Sequence, residues 1–196
     1  GSELLTPVRS DTNSLFLTGR LNELGIDVRT KTIVGDHLDD LSQVFRQALA
    51  RADLLIVSGG LGPTDDDLTR PAVANVLDRS LEVDERVIDG IQKRFESRGL
   101  RMPEINRRQG MVPQGAIVFE NAHGTAPGLW IEHDGKAIVL LPGPLRELSP
   151  LFERVVQDHL VLRAGHQRLA RRVLRVTGPT GSHVEERAQP IYSRWQ

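Results

Sequence analysis

The chain has no cysteine. That absence removes disulfides, thiolate-held metals and a cysteine nucleophile together, and it fits a reducing compartment. An excess of one charge is also lacking, since 25 Lys and Arg stand against 26 Asp and Glu and leave a formal net charge of −1. No overall positive field draws in nucleic acid and nothing favours a membrane surface, so a partner must be read from a local site. No window approaches the roughly 18 consecutive apolar residues that a membrane helix needs. The opening Gly1-Ser2-Glu3-Leu4-Leu5 has neither a basic segment nor a long apolar run, so no export signal is expected and the reading is cytoplasmic. Internal repeats and low-complexity tracts are absent as well. What remains is 196 residues, 39% of them hydrophobic, which suits one globular domain, or one domain plus part of another.

Apolar spacing predicts a first helix over Thr12 to Leu24, with Asp11 or Thr12 as cap and Gly25 as stop. Ile26 to Val34 alternates β-branched residues and is expected to be a strand. After Gly35-Asp36, the residues Leu38, Leu41, Val44, Phe45, Ala48 and Leu49 share one helical face. Asp53 to Ser58 is short and apolar, as expected of a parallel strand covered on both faces. Helices are expected over Leu68 to Leu77, with Pro71 tolerable in the opening turn, and over Val87 to Phe95. Ala116 to Phe119 and Gly128 to His133 read as strands, and Asp134-Gly135 signals a hairpin into Lys136 to Leu141. Pro142-Gly143-Pro144 then opens an amphipathic helix through Leu145, Leu148, Leu151, Phe152, Val155 and Val156. This alternation predicts a three-layer α/β/α, doubly wound, mostly parallel sheet with one antiparallel hairpin. Its ligand would sit beyond the carboxyl ends of the strands. The first domain is expected over 1–162, with 163–196 as a linker and the truncated start of a second small α+β domain. In that tail Gly165 to Arg168 reads as linker, Leu169 to Thr177 as strand, and Ser182 to Glu185 as a capping box.

The most informative loop is Gly59-Gly60-Leu61-Gly62-Pro63-Thr64-Asp65-Asp66-Asp67-Leu68-Thr69, between an apolar strand and a helix. That placement presents backbone N–H groups and a helix dipole to an anion. No Lys follows the glycines and their spacing differs from the dinucleotide fingerprint, so neither a Walker loop nor a dinucleotide fold is indicated. Three adjacent carboxylates would repel a bare phosphate, which suggests a divalent cation between protein and ligand. The local pattern leaves open the alternative that Asp65, Asp66 and Asp67 cap the helix and complement its dipole. Arg107 and Arg108 could pair with phosphate or form surface ion pairs. Among the histidines only His123 attracts attention, and the serines lack the partners of a nucleophile. Arg168, Arg171, Arg172 and Arg175 have no aromatic neighbours or Gly-x-x-Gly loop, so nucleic acid is not the expected partner.

The run Gly-Gly-Leu-Gly-Pro-Thr-x-Asp-Asp-x-Thr resembles the signature of CinA-type (competence/damage-inducible) proteins, and it is similar to the Gly-Gly-Thr-Gly loop of molybdopterin adenylyltransferases. Further blocks agree in order: Ser2 to Leu5, Asp11 to Asn13, Val34 to Asp36, Asn106 to Gln109, Asn121 with Gly124 to Gly128, and Leu141 to Pro144 with Glu147. The resemblance spans Ser2 to Phe152 and implies a molybdopterin-binding fold. It further implies metal-dependent hydrolysis of ADP-ribose or a related nucleoside diphosphate compound, or else a module that binds a nucleotide or pterin without turning it over. Adenylyl transfer is disfavoured by Leu61, where those enzymes carry Thr. By the same resemblance Gly59, Gly60 and Gly62 cradle phosphate, and Asp36 and Asp67 match acidic positions with catalytic or metal roles. Asp66 is a further metal candidate, while Thr69, Asn121, Gly124, Thr125, Pro142, Gly143 and Glu147 are expected around the ligand. Magnesium or cobalt is the expected ion, with potassium as a further candidate, and a homo-oligomer is expected. Family members begin with an apolar strand ahead of the Ser2 to Leu5 block, and that strand is expected to be missing here. The nicotinamide-mononucleotide-deamidating domain of the family is not in this sequence, and Gly178 to Gly181 departs from the family pattern.

Overall fold

The computed structural model describes residues 1–164 and 173–194. After a 3₁₀ turn at Ser2–Leu5, Asp11 accepts from the Ser14 amide and starts helix α1 (Thr12–Glu23). Then come α2 (Leu38–Arg51), β1 (Leu54–Ser58), α3 (Thr69–Val76), β2 (Leu81–Val83) and α4 (Glu85–Glu96). A 3₁₀ segment at Glu104–Gly110 leads to β3 (Met111–Pro113), β4 (Ile117–Phe119), β5 (Gly128–His133) and β6 (Lys136–Leu141). Helix α5 (Leu145–Val155) continues through a π turn at Val156–Leu160 into α6 (Val161–Arg163), and α7 spans Gly181–Tyr192. Among the described residues no helix is long and apolar enough to cross a membrane.

The main sheet has the order β1-β6-β5-β4, and β2 pairs with β3 in a separate ribbon. Strands β5 and β6 are buried along most of their length, and their period-two alternation divides the core in two. Trp130, Ala137, Val139 and Leu141 face α1 and α5, where they meet Leu17, Leu21, Leu148, Leu151, Phe152 and Val155. Leu129, Ile131, Ile138 and Leu140 face α2 and α3, meeting Leu41, Phe45, Ala72 and Val73. This is the expected α/β sandwich, and Asp134 (φ 48°) with Gly135 (φ 77°) makes the expected two-residue hairpin turn. Phe152 is fully buried between α1 and the sheet. Phe152→Ala is expected to cost about 3–5 kcal/mol, read as an earlier urea midpoint.

Several expectations are corrected. The main sheet is mixed rather than mostly parallel: β1–β6 is its parallel ladder, while β4–β5 and β5–β6 are antiparallel. Ile26 to Val34 forms no strand, although Ile26 and Val28 pack on one core and Val34 on the other. Alternation chooses which side chains turn inward, but a strand also needs a neighbouring ladder for its backbone, and no described strand pairs there. In consequence β1 is an edge strand, half-buried at every position although both its faces carry apolar neighbours. Finally, the last helix begins at Gly181 with Thr180 in the N-cap position and no side-chain cap bond, so Ser182 falls inside the helix rather than opening it. The expected linker at 165–168 and the start of the expected strand at 169–172 lie outside the described residues, and 173–177 is irregular.

Candidate functional site

The site starts where β1 ends. Gly59 donates its amide to Leu141 O at 2.9 Å, so the chain stays in register with β6 for one residue beyond the strand. Gly59 (φ +94°) and Gly60 (φ +67°) then turn through the left-handed region, which costs a residue with a side chain about 1–2 kcal/mol. All four carbonyls of the turn are held. Thr69 donates its hydroxyl to Gly59 O (2.8 Å) and its amide to Gly60 O (3.2 Å). The Arg70 guanidinium donates to Leu61 O (2.8 Å) and Gly62 O (2.7 Å), and Gln109 Nε2 reaches Leu61 O at 3.4 Å. The amides of Gly60, Leu61 and Gly62, by contrast, have no acceptor among the described residues. A turn whose carbonyls are occupied and whose N–H groups are open is an anion cradle.

Arg70 is 4% exposed, and among the described residues no carboxylate comes within ion-pair distance of it. Burial pushes its guanidinium down to about 10, against the opposing pull of Asp67, so it remains a cation at neutral pH. The turn is therefore backed by a fixed positive charge. Leu61 is 2% exposed and packs into the α2–α3 core while also bordering the cavity.

The facing walls come from two other loops. Asn13 on α1 donates to Ser58 Oγ (2.8 Å) and Gly143 O (2.6 Å), tying the end of β1 to the Pro142–Pro144 loop. Asn121 accepts from the amides of His123 and Gly124 and donates to Ala126 O and Glu147 Oε2, which folds the 121–126 loop around one amide group. Between these walls lies a cavity of about 420 Å³. It is lined by the turn, by Asp67, by Gly124 and Thr125, by Pro142 and Gly143, and by Glu147. Arg94, Arg98 and Arg146 add three guanidinium groups at its rim, which no sequence signal had marked.

Of the residues expected around a ligand, Thr69 and Asn121 act from behind, holding backbone in place. Asp36 is not part of the cavity lining: its carboxyl accepts from the Ser2 amide at 2.7 Å while its amide donates to Ser2 Oγ at 3.0 Å. Asp66 is exposed and also outside the lining, and Asp65 pairs with Arg108 at 2.5 Å. Asp67 reaches the cavity but also accepts from the amide (2.9 Å) and hydroxyl (2.6 Å) of Thr64. Among the described residues no three His, Asp or Glu side chains gather as a metal centre. The donor set therefore does not fit a preformed divalent site, and Arg107 and Arg108 serve in surface ion pairs with Glu85, Glu104 and Asp65. Arg70 was legible in principle, because a cation in the first turn opposes the helix dipole and so needs another reason to be there. Arg94 in the last turn of α4 gives no such signal, because the dipole already accounts for it.

The family model described as a probable molybdopterin binding domain matches residues 1–161. A CinA-like protein of Solibacter usitatus is 42% identical over 196 residues, covering 100% of this chain and 47% of that protein. A putative competence-damage inducible protein of Caldicellulosiruptor saccharolyticus is 46% identical over 191 residues, covering 97% and 46%. The chain thus spans about half the length of the curated relatives it matches. A crystal structure of a CinA protein of unknown function from Thermoplasma acidophilum superposes with TM-score 0.75 at 34% identity, over 81% of this chain and 93% of that one. The molybdopterin biosynthesis enzyme MoaB of Thermus thermophilus superposes with TM-score 0.53 at 20% identity over 86% and 93%, a likeness of fold alone. With its glycine turn, its two-sided sheet and these relatives in agreement, the chain belongs to the probable molybdopterin-binding-domain family, among its CinA-like members.

Proposed function

We propose that this domain binds the phosphates of a nucleotide-type ligand on the Gly60–Gly62 amides and hydrolyses a pyrophosphate bond in ADP-ribose or a related nucleoside diphosphate compound. The observation that carries the reading is the row of three open amides, backed by Arg70 and faced by Arg94, Arg98 and Arg146 across one cavity. Backbone amides and guanidinium groups suit phosphoryl oxygens, and held in place before the ligand arrives they stabilise charge that develops on those oxygens. Magnesium bound through one or two carboxylates plus substrate phosphates would neutralise further charge and acidify a bound water, and Asp67 is the carboxylate of the acidic run best placed for it. No step is assigned through that ion, since the side chains do not build its site in advance.

The test is incubation with ADP-ribose and Mg²⁺ or Co²⁺, following AMP and ribose 5-phosphate. Appearance of both products is expected, and Asp67→Asn is expected to lower turnover by about 100-fold or more with little change in the unfolding midpoint. Full activity in that variant rejects Asp67 as a functional carboxylate. The absence of a gathered carboxylate centre favours a second reading, a module that holds a nucleotide or pterin without turnover. Tight binding of ADP-ribose with no product under either metal would establish it in place of the first.

A further inference from the structure

The cavity also contains a group of the wrong sign for a phosphate. The Glu147 side chain, in the first turn of α5, is 10% exposed and lines the same space as the open amides. Its Oε2 accepts from Asn121 Nδ2 at 2.9 Å, and a Cβ placed on Gly124 would lie 1.7 Å from that oxygen, so the 121–126 loop is packed against it. Its Oε1 accepts no hydrogen bond among the described residues, and Arg146 Nε stands 3.9 Å away. Oε1 opens onto the cavity, so a ligand that displaces water from that space must offer a donor in its place or leave the oxygen buried and unpaired. Asn121 fixes the group so that it cannot turn away to find another partner.

We propose that Glu147 Oε1 accepts a hydrogen bond from a neutral donor on the part of the ligand that is not phosphate, and that this donor is a sugar hydroxyl. The inference rests on the anion-cradle reading: with phosphate on the amide turn, the moiety bonded to it must meet the opposite wall. A site built to hydrogen-bond a hydroxyl rejects the analogue that lacks it, because its own acceptor is left buried and unpaired. Glu147 is then a specificity residue that separates ribose compounds from their deoxy counterparts.

The full chain is titrated calorimetrically with inorganic pyrophosphate, ADP, 2′-deoxy-ADP, 3′-deoxy-ADP and GDP. At least one deoxy compound is expected to bind about 10-fold or more weakly than ADP. In Glu147→Ala that ratio is expected to fall below about 3, with Glu147→Gln, which keeps the shape, in between. Pyrophosphate has no hydroxyl to offer, so its affinity does not fall in either variant. Equal binding of ADP and both deoxy forms, or a ratio that survives both substitutions, overturns the proposal. A preference between ADP and GDP that vanishes in Glu147→Ala, with no deoxy penalty, moves the donor to the base and overturns the hydroxyl assignment. If neither pyrophosphate nor ADP binds, the cradle reading itself fails and this proposal with it, a result distinct from the others.

Discussion

Gly60→Ala is expected to weaken phosphate binding by about 100-fold or more and to lower stability by about 2–3 kcal/mol. Two costs add at this position. The backbone stands at φ +67°, and a new Cβ would lie 2.3 Å from Thr69 Oγ1. The left-handed conformation alone accounts for about 1–2 kcal/mol. Moving the Thr69 hydroxyl off Gly59 O adds about 1 kcal/mol. The turn then relaxes and the three amides no longer converge, and losing two such bonds to charged oxygen weakens binding by about 100-fold or more. Gly59→Ala is the control: its φ is +94° but nothing lies within 4 Å of the added Cβ, so it carries strain without collision. Calorimetric titration with pyrophosphate and urea denaturation of both variants check the pair. Gly60→Ala binding as well as the parent would remove the turn from the functional account.

Arg70→Met is expected to destabilise the fold by about 2–5 kcal/mol and to weaken pyrophosphate binding at least tenfold. Gly62 O would lose its donor and Leu61 O would keep only the long contact from Gln109 Nε2, at about 1–3 kcal/mol for each lost bond. Methionine relieves the desolvation of a buried cation, which offsets part of that loss, but the orphaned partners here are backbone groups that cannot be replaced in turn. Arg70→Lys keeps the charge but cannot span both carbonyls in one planar fork, so it should recover affinity only in part. Urea midpoints give the first effect and titration at two salt concentrations the second. If the methionine variant were as stable as the parent and bound pyrophosphate equally, neither role assigned to Arg70 would stand.

Much of the molecule follows from local rules. The Asp134-Gly135 turn, the cap at Asp11 and the inward faces of α2 and α5 each depend on a few neighbouring residues, whose periodicity or φ preference is visible in the string. Gly59 and Gly60 belong to the same class, and the structure puts both at positive φ. The acidic run behaves differently. Asp65, Asp66 and Asp67 are adjacent and chemically alike, yet one pairs with Arg108, one is exposed and one reaches the cavity. Asp36 looked equivalent to Asp67 as a motif position but is engaged with Ser2. Which carboxylate meets a ligand depends on which way the loop turns, and spacing along the chain does not specify that.

Taken alone, the sequence determined the layered α/β class, the glycine turn beyond an apolar strand and the family, because hydrophobic period, turn chemistry and residue order are written locally. Tertiary structure decided that Ile26 to Val34 forms no strand, that Arg70 sits buried behind the turn, and that Asn13 and Asn121 hold the loops that bring Gly143 and Glu147 to one cavity. Those outcomes need partners far apart in the chain, such as the 130 positions separating Asn13 from Gly143. Strand pairing, burial of a charge and the direction of a carbonyl are settled only when such partners meet.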